Sequence, residues 1–403
     1  MAAEPVRARA LELAAAGELP AYVHDLAGLR GHAAAVRAAM AGRAEVYYAV
    51  KANPDPEILR ALRPHVDGFE VASGGELTRV RELAPDAPVA FSGPGKTDAE
   101  LALALELGVD RLHVESPGEL ARLTRLLAAG DRMDILLRAN PGLPGEDLRQ
   151  AAASPFGMDP EGLAVCARLL RDAPRIRPRG IHTHLTWAQH DAPAMADLAA
   201  RVVSWALPWL RAHLPEVTEP ELDLGGGMGV DYRAPRTVFD WSAYGAALAA
   251  LAALADGRAR LRIEPGRSLT AYHGWYVTDV LDVKRTHGRH YAVLRGGTHH
   301  LRTPVARGHD QPCTVVHRAG GAGLTGAVTL VGQLCTPRDV LARDVPVTDL
   351  RTGDLIVFEL AGAYAWNLSH HDFLMHPEPV FSYLGVAAPT SGYVRSSRPR
   401  DGR

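Results

Sequence analysis

Cysteine is scarce in this chain, and no long hydrophobic stretch is free of charge. Its three cysteines, Cys166, Cys313 and Cys335, are unevenly spaced and form no CxxC pair. That pattern argues against a disulfide framework and a structural zinc site, and it fits a reducing cytoplasm. No segment reaches membrane-spanning length without charge, and the charged N-terminus lacks the apolar core of a signal peptide. We therefore expect a cytoplasmic protein without a membrane segment.

An excess of charge of either sign is also missing. The sequence has 44 lysines and arginines against 46 acidic residues, a net charge of -2. This balance supplies no electrostatic footprint for nucleic acid or an anionic membrane, so neither partner is expected. The chain has 403 residues, of which 47% are hydrophobic, which is enough for two domains or one large barrel with an addition. We expect a protein that acts on small molecules.

The first two thirds of the sequence alternate between strand-like runs and helical patterns. Helix-capping boxes begin at Ser73, Thr97 and Ser116, each with a glutamate three residues later. Parallel strands need crossover helices, so the repeat predicts a (β/α)8 barrel of the α/β class, with an open doubly wound sheet as the alternative. The eight runs begin near Val46, Gly68, Val89, Leu112, Ile135, Ile181, Leu222 and Leu261.

After about Ser268 the pattern changes to strand-like runs separated by turns rich in glycine and proline. This predicts an all-β second domain. We expect the barrel to span residues 26–270 and the β domain residues 271–390, with a strand from residues 20–25 that joins the β domain or pairs with the first barrel strand. The polar, proline-broken residues 391–403 are predicted to be disordered.

The first chemical signal is a lysine at the end of the first predicted barrel strand. Active sites of (β/α)8 barrels form at the C-terminal ends of the strands, and Lys51 follows the apolar run VYYAV. A lysine in this position is commonly a solvated side chain. Desolvation, however, lowers the pKa of a lysine and favours the neutral amine that forms a Schiff base.

Two more strand ends carry groups that bind anions. In LDLGGGMG the consecutive glycines Gly225, Gly226 and Gly227 allow backbone N–H groups to converge on an anion, although a tight turn explains them equally well. In RIEPGRSL, Glu264 is a candidate general base, metal ligand or partner of a protonated pyridine nitrogen, and Arg267 suits a phosphate. A lysine, a glycine cradle, an acid and an arginine on one rim are the groups that pyridoxal 5'-phosphate (PLP) requires.

Six motifs then make the resemblance to a family specific. YYAVKANP, FEVASGGEL, LDLGGGMG, IEPGRSL, GQLCTPRDVL and ELAGAYAW occur in the order found in the fold-type III PLP-dependent decarboxylases, the group of diaminopimelate, ornithine and arginine decarboxylases. The similarity runs from about Tyr22 to past Tyr364. It implies an alanine racemase-like (β/α)8 barrel with a C-terminal all-β domain, and α-decarboxylation as the reaction.

The resemblance also implies roles for individual residues. Lys51 would bind PLP covalently, and His184 would stack on the ring. The three glycines and Arg267 would bind the phosphate, Glu264 would pair with the ring nitrogen, and Tyr364 would add a cofactor contact. Cys335 lies in the motif that enters the partner subunit's site, where the thiol helps protonate the carbon that has lost CO2. The resemblance therefore implies a homodimer with shared active sites, and it implies no metal.

The sequence departs from the family near the substrate. Thr336 stands where diaminopimelate decarboxylases carry a glutamate that holds a distal amino group, and Leu185, Thr186 and Trp187 follow His184 in place of a Gly-Ser pair. Basic residues suited to an anionic substrate end surround the C-terminal motifs. They are His299, His300, Arg302, Arg338, His370, His371 and His376. We expect substrate contacts from Arg302, Thr336, Arg338, Asp339 and His371.

The segment AYAWNLSHHDFLMHPEP resembles a subgroup of the family that serves carboxylate siderophore pathways by decarboxylating amino acids joined to citrate. A citryl-amino acid is therefore the expected substrate. The alternatives are diaminopimelate decarboxylation in lysine biosynthesis, a racemase on the same fold, and a non-catalytic PLP-binding homologue. A metal-dependent hydrolase on the same barrel is the alternative from a different class, with the HTH and HHD motifs as ligands.

Overall fold

The computed structural model describes residues 4–143, 154–254, 259–318 and 322–386. The tail predicted at residues 391–403 lies outside this part of the chain. A short strand, β1 (Ala21–Asp25), precedes a closed parallel barrel in which the first strand pairs with the last. The barrel strands are β2 (Glu45–Ala49), β3 (Gly68–Val71), β4 (Val89–Phe91), β5 (Arg111–Val114), β6 (Met133–Arg138), β7 (Ile176–His182), β8 (Glu221–Asp223) and β9 (Arg260–Ile263). The predicted barrel is confirmed.

Most of the helices cover the outside of the barrel and pack apolar side chains against its strands, whereas the first helix packs on strands of the second domain and the last contacts a strand of that domain. They are α1 (Glu4–Ala15), α2 (Leu26–Met40), α3 (Pro56–Leu62), α4 (Gly74–Leu83), α5 (Asp98–Glu106), α6 (Pro117–Leu126), α7 (Pro160–Arg171), α8 (Ala192–His213), α9 (Trp241–Leu254), α10 (Arg267–Thr270) and α11 (Thr303–Arg307). Among the described residues no helix combines the length and apolar character needed to cross a membrane.

The three predicted capping boxes begin helices, but only one is fully reciprocal. Thr97 and Glu100 exchange both bonds at the start of α5. Ser73 accepts from the N–H of Glu76 at α4, whereas the Glu76 carboxylate turns back to the N–H of Ala72. Ser116, the cap of α6, likewise accepts from the N–H of Glu119, whereas the Glu119 carboxylate accepts from the N–H of Glu115. Because the capping serine or threonine and the helix that it starts are in place in all three, these signals located the helix starts correctly.

The strand β7 begins earlier than the sequence pattern indicated. Its predicted start was Ile181, but pairing with β6 begins at Ile176. The added residues include Pro178 between two arginines, so they lack the apolar run used to find the other strands. A shift of register between Ile135 and Leu136 of β6 leaves Arg179 of β7 without a paired residue.

The second domain is built mainly of strands, as predicted. Its strands are β10 (Gly274–Thr286), β11 (Arg289–Leu294), β12 (Cys313–Val316), β13 (Leu324–Val331), β14 (Val340–Leu350), β15 (Leu355–Phe358) and β16 (Val380–Leu384), in the order β12-β15-β10-β11-β13-β14. The strand β1 lies between β10 and β16 in this domain, whereas β2 pairs with β3 and β9. The first strand of the chain thus joins the β domain and not the barrel.

The segment after β15 attaches the β domain to the mouth of the barrel. Tyr364 donates its backbone N–H to Ala52 O over 2.7 Å, and the Asn53 amide donates to Gly362 O over 2.9 Å. The Asn367 amide donates to Lys51 O over 2.8 Å. Three bonds thus fix this segment on the turn that carries the strand-end lysine.

Candidate active site

Lys51 lies in a single 3-10 turn, Val50–Ala52, that directly follows β2. Strand pairing ends at Ala49, two residues before the lysine. The strand pairs with β3 in a register that sets Ala49 opposite Glu70. As a result Lys51 Nζ donates to Glu70 Oε2 over 2.5 Å at the barrel mouth.

The charge of Lys51 differs from the expectation based on burial alone. Burial lowers the pKa of Lys51, but the Glu70 and Glu264 carboxylates outweigh it, so the pKa is raised above its ordinary value. The prediction of a lysine with a lowered pKa was therefore wrong. Burial raises the pKa of Glu70, but its ion pair with Lys51 and the Ser92 hydroxyl dominate, so that pKa is lowered. Lys51 and Glu70 form an ion pair.

His184 follows β7 and contacts the glycine turn. Its Nδ1 accepts from Gly226 N over 3.2 Å, so the proton of the neutral ring is on Nε2. Burial, together with the Lys51 and Arg138 charges, lowers the pKa of His184 to about 3. The ring is therefore neutral at physiological pH and offers an aromatic face beside the lysine.

The three glycines are required by close backbone contacts. A Cβ atom at Gly225, Gly226 or Gly227 would collide with the carbonyl oxygens of Thr183, Glu264 and Thr186 respectively. Gly225 and Gly227 also have positive φ angles of 70° and 104°. Gly225 N and Gly226 N donate to Asp223 and His184, whereas Gly227 N has no acceptor among the described residues. This turn is a cradle that only glycine can form.

Arg267 begins α10 beside the glycine turn. Its Nη1 donates to Tyr232 Oη over 2.7 Å, and its guanidinium lies 4.4 Å from the centre of the Tyr364 ring. Tyr364 itself has a positive φ of 50°. The two aromatic rings thus hold the arginine in place without neutralising its charge, which leaves it suited to a phosphate.

Glu264 closes the strand β9 and is only 3% exposed. Burial raises its pKa well above the ordinary value, and the nearby Asp223 and Glu70 carboxylates raise it further. Its Oε1 has no hydrogen-bond partner among the described residues. A cation, such as a protonated ring nitrogen, would stabilise the ionised form of a buried acid of this kind.

These residues fit PLP on several independent observations. The glycine cradle and Arg267 suit its phosphate, and the neutral His184 ring suits its aromatic face. Lys51 offers an amine of the kind that reacts with its aldehyde, and the unpartnered Glu264 oxygen suits its ring nitrogen. The fold thus brings to one place the groups that the sequence placed on four separate segments.

The predicted residues around Cys335 lie on a tight turn between β13 and β14. Cys335 and Arg338 are exposed, and Thr336 Oγ1 accepts from Arg338 N over 3.4 Å. Asp339 is 2% exposed, and its carboxylate accepts from Thr298 N, Thr298 Oγ1 and Leu334 N at 2.7–2.8 Å. Asp339 therefore shapes the turn that displays Cys335, and its predicted contact with substrate stays a prediction.

Arg302 and His371 lie on the two segments that border this turn. The Arg302 backbone donates to Ser369 Oγ over 3.1 Å, while its side chain is exposed and pairs with no described carboxylate. His371 stacks on Trp366, with ring centres 3.6 Å apart. Gln333 Nε2 lies 3.1 Å from His376 Nδ1 and so links the Cys335 turn to the histidine segment. Arg302 and the histidine segment thus border the turn that carries Cys335 and Arg338.

Sequence reasoning missed several residues of this site. Glu70 stands inside the quoted motif FEVASGGEL, and its position in β3 beside the lysine strand could have identified it. Ser92 and Arg138 also end barrel strands or follow them directly. Tyr232, by contrast, follows the glycine turn in a loop, and no local pattern in the sequence marks it.

The hydrolase alternative required HTH and HHD to form one metal centre. Among the described residues, His182 of HTH lies at metal-ligand spacing from His113 and Glu264, but His184 belongs to no such group, and neither do the HHD residues His370, His371 and Asp372. His371 Nε2 instead contacts Trp366 O. The ligands that this alternative needs are therefore not assembled.

Comparison with known proteins gives the same family by independent routes. Residues 26–271 match the family model "Pyridoxal-dependent decarboxylase, pyridoxal binding domain". A Staphylococcus aureus protein named 2-[(L-alanin-3-ylcarbamoyl)methyl]-2-hydroxybutanedioate decarboxylase is 38% identical over 375 residues, covering 90% of this chain and 93% of that protein. A Deinococcus radiodurans diaminopimelate decarboxylase is 32% identical over 365 residues, covering 89% of this chain and 88% of that protein.

A solved structure agrees with the fold. The crystal structure of diaminopimelate decarboxylase from M. jannaschii superimposes with a TM-score of 0.81 at 21% identity, covering 92% of this chain and 88% of that chain. The two-domain arrangement is thus shared between sequences that have diverged widely.

Proposed function

The chain belongs to the family of pyridoxal-dependent decarboxylases, and on that premise we propose that it removes the α-carboxyl group of an amino acid joined to citrate, as a step of carboxylate siderophore biosynthesis. It is a carboxy-lyase with PLP as its cofactor. The observation that carries the substrate proposal is the pair of exposed arginines, Arg302 and Arg338, beside the histidine cluster. The 38% identical S. aureus relative is named for a substrate that combines an alanine unit with a hydroxy-dicarboxylate.

The cofactor would be held by the residues of the barrel mouth. We propose that Lys51 binds it covalently, that His184 packs on its ring, and that Tyr364 and Arg267 lie beside the phosphate. Gly225, Gly226 and Gly227 complete the phosphate site. When bound, PLP supplies an electron sink for the electron pair released as CO2 leaves.

The side chains of the chain itself manage the protons. The Glu70 carboxylate positions Lys51 Nζ and stabilises its protonated form, which must lose a proton before the lysine can act as a nucleophile. With PLP bound, Glu264 would offer a negative charge to the ring nitrogen, and the neutral His184 would exclude water from one ring face. Cys335 Sγ, entering the site of the second subunit of the proposed dimer, would donate a proton to the substrate carbon.

The distal end of the substrate would be recognised by charge. Thr336 offers no negative charge to a distal amine, whereas Arg302, Arg338 and His371 present donors to carboxylates. Asp339 acts on this side by fixing the turn that carries Thr336 and Arg338. This arrangement favours a polycarboxylate over a diamino acid such as meso-diaminopimelate.

We also propose that the active sites are shared in a homodimer. Cys335 is exposed on the β domain, and the neighbouring segment exposes Leu368, Phe373, Leu374 and Met375 by 46%, 44%, 45% and 90%. Leu374 and Met375 have positive φ angles of 60° and 56°, a strained backbone for these residues. A second copy packed on this segment would bury the apolar side chains and complete the site. The free thiol of Cys335 is also consistent with a cytoplasmic location.

Competition by simple carboxylates tests the substrate proposal. Citrate should compete with the amino-acid substrate, raising KM and leaving kcat unchanged, whereas L-lysine should compete weakly. Arg302→Ala should weaken inhibition by citrate about tenfold or more, since a charge-assisted contact is lost. The matched control, Arg285→Ala, removes an exposed arginine of β10 and should leave the inhibition unchanged. Strong competition by L-lysine without competition by citrate would instead favour the diaminopimelate pathway.

A further inference from the structure

The two aromatic rings that flank Arg267 are each held by a residue of the β domain. Arg267 Nη1 donates to Tyr232 Oη over 2.7 Å, and the guanidinium lies 4.4 Å from the centre of the Tyr364 ring. The Tyr232 ring packs against the ring of His309, with centres 4.2 Å apart and planes inclined by 32°. Thr303 Oγ1 donates to Tyr364 O over 2.5 Å. One short segment of the β domain thus contacts both supports of the arginine.

The turn that follows α11 sets the position of His309. Gly308 ends the helix with a φ of 67°, a left-handed conformation that suits glycine. His309 N then donates to Pro304 O over 3.1 Å, which closes the turn back onto the helix. Because the backbone is fixed at this point, the side chain of His309 leaves the turn from a defined place.

A buried glutamine anchors the His309 ring to the β domain. Gln311 is 1% exposed, and its Nε2 donates to Glu359 O over 2.7 Å, just after β15. Its Oε1 lies 3.2 Å from His309 Nε2, and because an amide oxygen only accepts, His309 carries a proton on Nε2. Gln311 N donates to Leu341 O of β14 over 2.9 Å. The histidine ring is therefore tied to two strands of the β domain.

Tyr232 depends on side-chain contacts for its position, because it stands in an irregular loop between β8 and α9. Its residue is nevertheless only 8% exposed. Holding a ring of this kind in one direction costs conformational entropy unless a neighbour restricts it. The His309 ring restricts it by packing against the Tyr232 ring, so the hydroxyl stays where Arg267 can donate to it.

We propose that His309 is a positioning residue for the cofactor's phosphate, because it holds Tyr232 and, through Tyr232, keeps the Arg267 guanidinium in place for that group. The inference rests on the proposed role of Arg267 as a phosphate ligand. Arg267 and Tyr232 belong to the barrel, whereas His309 belongs to the β domain. The β domain therefore contributes to binding a group whose direct contacts are proposed to come largely from the barrel.

The chemistry of the three side chains suits this role. A carboxylate in the place of Tyr232 would pair with Arg267 and compete with a phosphate, whereas a hydroxyl accepts its hydrogen bond and leaves the positive charge available. The planar guanidinium recognises a phosphate by direction as well as by charge. A loss of support from His309 should therefore weaken phosphate binding even though the charge of Arg267 remains.

The test compares the affinity of the full-length, cofactor-free protein for PLP and for pyridoxal, which lacks the phosphate group. The ratio of the two affinities isolates the contribution of the phosphate. His309→Ala removes the ring, and His309→Phe keeps a ring but removes the bond to Gln311. Tyr232→Phe keeps its ring but removes the acceptor for Arg267. The second readout is the ³¹P chemical shift of bound PLP.

We expect His309→Ala and Tyr232→Phe each to bind PLP about tenfold more weakly, to bind pyridoxal like the wild type, and to shift the ³¹P signal. His309→Phe should retain most of the affinity for PLP, because a ring still supports Tyr232. The double variant of His309→Ala and Tyr232→Phe should be no weaker than the weaker single one, because both interrupt one path. Asp310→Ala, which removes the neighbouring ion pair with Arg343, should change neither readout.

Arg267→Ala separates a failure of this inference from a failure of the proposed cofactor site. If it loses the preference for PLP over pyridoxal while His309→Ala and Tyr232→Phe keep it, His309 does not position the arginine. If Arg267→Ala itself keeps that preference, Arg267 is not a phosphate ligand and the inference falls with it. An equal loss of affinity for PLP and pyridoxal in His309→Ala would show a purely structural role. If His309→Ala fails to fold, His309→Gln and Tyr232→Phe decide the question with the same measurements.

Discussion

Lys51 Nζ and Glu70 Oε2 lie 2.5 Å apart, in a pair whose acid is completely buried while the lysine side chain keeps 35% of its surface exposed. The pair therefore joins the interior of the barrel to its mouth. Its charge raises the pKa of the lysine against the opposing effect of burial.

Removal of the Glu70 charge should make Lys51 reactive at lower pH. In Glu70→Gln the lysine loses its main carboxylate partner, so its pKa falls and the neutral amine forms earlier on a pH scale. The rate at which PLP attaches to the cofactor-free protein, measured against pH, should therefore rise at a lower pH than in the wild type. Ser92→Ala, which removes a hydrogen bond to Glu70 but no charge, should keep the wild-type profile. An unchanged profile in Glu70→Gln would mean that Glu70 does not control the lysine.

Of the three lysines of the chain, only Lys51 should be labelled covalently by PLP. The others are Lys96, whose side chain is 1% exposed and pairs with Glu119 over 2.9 Å, and the exposed Lys284 of β10. Borohydride treatment of the PLP-loaded enzyme should place the pyridoxyl group on the peptide with Lys51, as detected by mass spectrometry. Lys51→Ala should abolish the label and Lys284→Arg should retain it. A label that persists in Lys51→Ala would assign the cofactor to another lysine.

The pairing of Lys51 with Glu70 also shows what sequence patterns contain and what they omit. Strand ends identified Lys51 and Glu264, because each follows a strand-like run. The register between β2 and β3, which sets Ala49 opposite Glu70, depends on tertiary packing and has no local sequence signal. The expected fall in the lysine pKa was wrong for that reason, since it considered burial without the carboxylate on the next strand.

The polar interior of the barrel was missed for a related reason. His113 and His182 stand in strands found from their apolar neighbours, LHV and IHTH, and nothing in the spacing indicates that the two rings stack. The start of β7 was placed five residues late because Pro178 and its flanking arginines hide the strand pattern. Family motifs, in contrast, identified Arg267 and the glycine turn without any knowledge of register.

Mixed dimers should recover activity if the sites are shared. Lys51→Ala and Cys335→Ala should each be inactive alone, whereas subunit exchange between them should restore up to about a quarter of the wild-type activity, because a mixed dimer holds one intact site. The measurement is CO2 release after exchange, followed with differently tagged subunits. As the control, two differently tagged preparations of Lys51→Ala are mixed, and the mixture should stay inactive. Proven exchange without recovery would place both residues in one subunit's site.

The histidine cluster should make the protein sensitive to mild acid. Burial, together with the neighbouring His376, His370 and His371, lowers the pKa of His299 to about 4. Since the unfolded residue titrates near 6.5, its contribution to stability is complete above that pH and is lost as the pH falls toward 4. Between pH 7 and pH 5 the loss amounts to at most about 2 kcal/mol.

Thermal unfolding of His299→Phe at both pH values checks this sign. Between pH 7 and pH 5, the midpoint temperature of unfolding should fall less in the variant than in the wild type. His213→Gln, an exposed histidine at the end of α8, is the control and should behave like the wild type. An equal loss in His299→Phe would show that other groups govern the acid sensitivity.

A panel of candidate substrates tests the central claim most directly. Release of CO2 is measured for meso-diaminopimelate, ornithine, arginine and lysine, and for citryl conjugates of diaminopropionate, serine and ornithine, at equal enzyme and PLP concentrations. We predict that one of the conjugates is turned over with a kcat/KM on the order of a hundredfold above every free amino acid, since two charge-assisted contacts contribute roughly 1.5–3 kcal/mol each. Faster turnover of meso-diaminopimelate than of every conjugate would contradict the account and assign the enzyme to lysine biosynthesis.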